Sequence, residues 1–95
     1  MNNEIRLVFD KATTRLAGNP YGRNVFDEQA RDKIDYSTMN TIVFPNTIEK
    51  VASSFTQGFF SAIIEKIGYS NFDNVISIKA CTEALENTIH KDLFV

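Results

Sequence analysis

Residues 53–67, SSFTQGFFSAIIEKI, constrain this chain more than any other segment. Phe55, Phe59, Ala62, Ile63 and Ile67 recur at helical spacing, and Phe60 and Ile64 widen the apolar face beyond one stripe. Glu65 and Lys66 are its only charges. A helix this apolar is packed on more than one side, or it lends one side to a partner. Ser53 or Ser54 is expected to cap its start, and Gly68 to end it in the left-handed conformation that glycine adopts without a Cβ clash.

The flanking segments alternate between strand and helix patterns. Residues 4–10 (EIRLVFD) send Ile5, Leu7 and Phe9 one way and Arg6, Val8 and Asp10 the other, the pattern of a half-buried strand. The stretch through Gly18, Pro20 and Gly22 reads as a loop, and Asn24 as the cap of a helix over 24–35 with Phe26, Ala30 and Ile34 on one face. Residues 41–44 (TIVF), ending at Pro45, fit a central strand covered on both faces. Residues 75–80 (VISIKA) form a third strand. Thr82 opens a last helix whose Glu83 and Glu86 come early and whose His90 and Lys91 come late, as the helix dipole favours. The order β-α-β-α-β-α predicts a small single-domain α/β fold over residues 1–95, with a mostly parallel or mixed sheet and helices packed on it. The first strand suits an edge, where it is free to run antiparallel.

Twelve acidic residues against 10 basic ones give a net charge of −2. Arg6, Lys11, Arg15, Arg23, Arg31 and Lys33 crowd the first third but are interleaved with acids, so no cationic surplus favours a nucleic-acid partner. One cysteine cannot form an internal disulfide. No apolar run is long enough to span a bilayer, and no basic segment followed by an apolar one opens the sequence. The expectation is a cytoplasmic protein without a membrane partner.

Candidate chemistry is sparse. His90 has no second His or Cys at ligand spacing, so no metal is expected. Cys81 lies where a strand meets a helix start but has no C-x-x-C partner and reads as a small buried hydrophobe. Gly18 and Gly22 do not form a phosphate loop, and no cofactor is implied. No set of nucleophile, base and oxyanion donors can be assembled, which argues against an enzyme. Ser53 and Ser54 are different: two hydroxyls at a loop-to-helix junction, where free amides favour an anion and a phosphate would add about two negative charges.

A strand, the loop and helix NPYGRNVFDEQAR, a second strand, Ser53-Ser54-Phe55 opening an apolar helix with Phe60, then Gly68-Tyr69 and a last strand and helix: this order resembles the STAS-like domain family of unknown function. That family is related in architecture to the STAS domains of anti-sigma-factor antagonists. The resemblance implies a partner-switching protein that docks a kinase-like ATPase or another regulator. It places the phospho-acceptor at Ser54 with Ser53 its neighbour. Ala52 and Phe55 stand where the Asp-Ser-Ser-Gly motif has its acid and its glycine.

These readings converge on a non-enzymatic protein-interaction module whose docking surface includes Ser53, Ser54, Phe55, Gln57, Phe60 and Arg23. The alternative is a small inhibitor or immunity protein of a bacterial or phage-like mobile element, blocking an effector protein. Phe59 and Phe60 are adjacent on the helix, so Phe60 is expected in an exposed patch for self-association as a homodimer or for a partner. The edge of the sheet offers another docking surface.

Overall fold

In a computed structural model, which describes residues 2–94, the chain runs β1 (Asn3–Arg6), β2 (Arg15–Leu16), α1 (Asn19–Gln29), β3 (Asn40–Val43), β4 (Lys50–Val51), α2 (Ser53–Ile67), α3 (Tyr69–Val75), β5 (Ile76–Lys79) and α4 (Glu83–Leu93). The radius of gyration is 12.1 Å, close to the value of about 12 Å expected for a compact chain of this length.

The apolar run at β3 takes the middle of a three-stranded sheet ordered β1-β3-β5. Both pairings are parallel, with Ile5 beside Ile42 and Ile42 beside Ile78. The fold is therefore α/β with a parallel sheet. β1 lies at the edge its alternation predicts, but parallel to β3, so the antiparallel option is not taken. Ile5, Leu7, Ile42, Phe44 and Ile76 turn to the core. The opposite face carries exposed Glu4, Arg6, Ser77 and Lys79 around half-buried Thr41 and Val43, so β3 is fully covered on one face only. A second, two-stranded parallel sheet pairs β2 with β4, Arg15 beside Lys50 and Leu16 beside Val51.

α2 is the central helix, and both of its flanks are used. On one flank α1 comes close enough for backbone to meet backbone at two glycines. A Cβ on Gly22 would lie 2.3 Å from the Phe55 carbonyl oxygen, and one on Gly58 would lie 2.2 Å from that of Asn19. On the other flank Phe60 meets Phe72 of α3 edge-on at 5.5 Å. The Phe60 ring sits 4.7 Å from that of Phe59, which continues to Phe26 and Phe44. Phe44, Phe55, Phe59, Phe60 and Phe72 are all fully buried, each contributing about 2–3 kcal/mol of transfer free energy. The expected Phe60 patch is thus corrected: a helix held between neighbours on two sides buries adjacent aromatics in different directions.

Three other expectations change. α1 starts five residues before Asn24, with Pro20 in its first turn and Gly18 as N-cap. Proline fits there because its missing N–H would have had no helical acceptor. The helix ends at Gln29, and residues 30–33 form a turn. α3 occupies what read as a connector, anchored by Phe72. The end of α2 and the start of α4 are as read: Gly68 is the C-cap with φ 80°, and the Thr82 hydroxyl accepts from the Leu85 amide.

Among the described residues, Asn40 is a polar side chain both fully buried and fully engaged. Asn40 Oδ1 accepts from the Asp35 amide (2.9 Å) and from Asn3 Nδ2 (2.8 Å). Its Nδ2 donates to the carbonyls of Asp35, Thr38 and Val75. It thereby joins the turn before β3 to β1 on one side and to the end of α3 on the other. Nearby, the Ser37 hydroxyl and amide both donate to the Asp35 carboxylate and hold its pKa below the ordinary value.

Candidate functional site

The pairing of β2 with β4 decides where the hydroxyls end up. Two parallel strands side by side each run into a helix after one or two residues, so α1 and α2 start next to each other. Gly18 makes the first turn possible with φ 100°, in the region where a Cβ is strained. Its amide donates to Ser54 Oγ at 3.0 Å. Ser54 thus clasps the two helix starts together instead of capping its own helix. Extended Ala52 is the N-cap of α2 and has no side-chain oxygen to offer, which corrects the capping role expected of Ser53 or Ser54.

Both serines are exposed in the first turn of α2. Neither α1 nor α2 has a side-chain cap or an acidic residue in its first turn. α4 has both, with Thr82 capping and Glu83 and Glu86 following. The junction of α1 and α2 therefore presents amide donors and the positive ends of two helices without a compensating carboxylate in either first turn.

A groove of about 630 Å³ opens beside this junction, between the β2–β4 pair and the start of α4. Ala52, Thr82 and Leu85 form part of its wall. Arg15 and Lys50, direct neighbours across the ladder, line it together with Glu49. All three are exposed. The sequence reading missed this cationic pair, because two-residue strands carry no periodicity to reveal their pairing.

The other expected docking residues scatter. Gln57 is exposed on α2 and lines a separate depression with Asn19, Ser61 and Tyr69. Arg23 is exposed one turn along α1, its Nε donating to Asn19 Oδ1 at 2.9 Å. It shares a shallow pocket with Asp27 and Arg31, which pair with each other. Phe55 and Phe60 are buried and are corrected from surface to core. Phe55 packs edge-on to the half-exposed Tyr21 at 5.6 Å, so it supports the junction from beneath.

Cys81 is half-buried, its Sγ donating to the Ile48 carbonyl at 3.2 Å. His90 Nε2 lies 2.6 Å from Asp73 Oδ1, joining α4 to α3 at the surface. Among the described residues, no group of three or more His, Cys, Asp or Glu is placed to hold a metal ion, and no helix is long and apolar enough to cross a membrane. Comparison with family models, curated proteins and solved structures finds no match to this chain.

Proposed function

We propose that this chain is a non-enzymatic interaction module of the STAS-like kind, docking a cytoplasmic protein partner at the paired starts of α1 and α2. The observation that carries this reading is the clasp itself. Ser53 and Ser54 are exposed at a double helix start whose first turns carry no acid, and Ser54 Oγ holds the Gly18 amide. A surface of this kind suits a partner that presents carboxylates or carbonyl oxygens.

The partner in this reading is a kinase-like ATPase or another regulator, and Ser54 is the residue it modifies. Phosphorylation would place about two negative charges where amide donors now face outward. The phosphate oxygens would take up those donors. The junction would change from a donor surface to an anion, and a partner selected for acceptors would be repelled.

A photo-crosslinking residue placed at Ser53 tests this in the native host, with the same residue at exposed Asn71 on α3 as the comparison. The Ser53 probe should capture one discrete protein that the Asn71 probe does not. Ser54→Asp should lower the yield by about tenfold, as expected when a negative charge is introduced at a contact that favours acceptors. Equal capture from both positions, no capture, or a yield indifferent to Ser54→Asp would sink the reading.

A further inference from the structure

We propose that the free edge of β1 is a self-association surface, through which two copies of this chain pair antiparallel about Ile5 and join their sheets. β1 lies at the edge of the three-stranded sheet. The Asn3 amide donates to Met39 O at 2.8 Å and the Leu7 amide to Val43 O at 2.9 Å. Alternate residues of a strand turn their N–H and C=O to opposite sides, so 3, 5 and 7 face β3 while Glu4 and Arg6 face outward.

The rest of the sheet boundary is more closely guarded. At Val8 the Gln29 side chain stands in for a neighbouring strand: Val8 N donates to Gln29 Oε1 (2.7 Å) and Gln29 Nε2 donates to Val8 O (2.9 Å). On the β5 edge the Ile76 amide donates to Phe72 O and the Ala80 amide to Glu86 Oε2, which leaves only the outward groups of Ile78 between two occupied ends. The opening on β1 is thus two residues long, Glu4 and Arg6. Their side chains are 50% and 78% exposed.

Charge on an edge strand ordinarily prevents pairing, because like charges meet. Here the charges are opposite and two residues apart. In an antiparallel pair centred on Ile5, Glu4 lies opposite the partner's Arg6, and Arg6 lies opposite the partner's Glu4. Both are hydrogen-bonded pairs, so all four outward N–H groups meet outward carbonyls. Sliding the register by two residues either way sets Glu4 against Glu4 or Arg6 against Arg6, and sliding by one turns the core face outward. Only the register about Ile5 satisfies both backbone and charge, and it has the two-fold symmetry of a closed dimer. Within one chain Arg6 Nε and Glu4 Oε1 already pair at 2.6 Å, but a pair this exposed holds weakly and is free to exchange partners.

Sedimentation of the full chain at low salt tests the proposal. The wild-type chain should dimerise with a dissociation constant of about 10–100 μM, in keeping with a small interface. Glu4→Arg and Arg6→Glu, each alone, set like charges across the seam and should weaken the dimer by about tenfold or more. Mixing the two variants in equal amounts should restore association, since each then faces its opposite. That restoration also shows that both variants are folded. A wild-type chain that remains monomeric at ~0.5 mM overturns the proposal. So do single variants that associate like wild type, and a mixture that stays monomeric.

Discussion

Thr56 is the residue where the packing of α2 carries a cost. Its side chain is fully buried, and Oγ1 has no hydrogen-bond partner among the described residues. A hydroxyl taken from water without a partner is unfavourable by about 1–3 kcal/mol. Valine has nearly the same shape and a similar helix propensity, so Thr56→Val should stabilise the fold by about 1 kcal/mol and raise Tm by about 4–8 °C. A thermal melt followed by circular dichroism reads this directly, and a lower Tm would mean that the hydroxyl is bonded in solution. Asn40 shows the opposite case: equally buried, but with both amide atoms engaged. Sequence alone gives no way to tell these two polar residues apart. Each sits in an apolar neighbourhood, and the difference lies in which distant carbonyls the fold brings near.

At the scale of elements, the contact between α1 and α2 combines ring packing with backbone on backbone at Gly22 and Gly58. Gly58→Ala should gain up to about 1 kcal/mol of helix propensity. The new Cβ would, however, lie 2.2 Å from the Asn19 carbonyl oxygen and 2.9 Å from its carbon, neither of which is a flexible side-chain end. The net effect should be destabilisation by about 3 kcal/mol or more, read from the midpoint of urea unfolding. Helix identity was mostly legible beforehand, because α2 and α4 carry strong apolar stripes and Thr82 and Gly68 sit at their ends. The start of α1 was misplaced because Gly18, Pro20 and Gly22 looked like loop formers. In fact each has a separate role: a left-handed turn, a first-turn proline and a close helix approach. α3 escaped notice because YSNFDNV offers two apolar anchors, Phe72 and Val75, and Val75 reads as the start of the following strand.

For the molecule as a whole, β3 is the strand with neighbours on both sides. In dilute solution, hydrogen exchange followed by NMR should find the amides of Ile42, Val43 and Phe44 slowest, by about a thousandfold or more relative to those of Glu4 and Arg6. Comparable rates would mean that the sheet opens strand by strand from its centre. The central place of β3 was readable from its nearly continuous apolar run, though only one of the two faces expected to be covered is covered, and the α/β class, with a mostly parallel or mixed sheet, was readable from the alternation of elements. The candidate site was legible only in part. The sequence located Ser53 and Ser54 at a helix start, but the atom that Ser54 holds lies 36 residues away. The β2–β4 pairing that brings the two together involves only two residues from each strand. Burial of Phe60 likewise follows from neighbours on both flanks of α2, an arrangement invisible within its own segment.

The contact at Gly22 and Gly58 has a mechanical consequence. Side chains between two helices act as a compliant cushion, and at these two points that cushion gives way to direct backbone contact, with the Tyr21–Phe55 and Phe26–Phe59 ring pairs filling the space beside them, so α1 and α2 should move as a single stiff beam. The 15 residues of α2 make that beam about 22 Å long. A push at the Ser54 end cannot be absorbed by local rearrangement between the helices. It should be felt at the far end, beside α3, as a tilt.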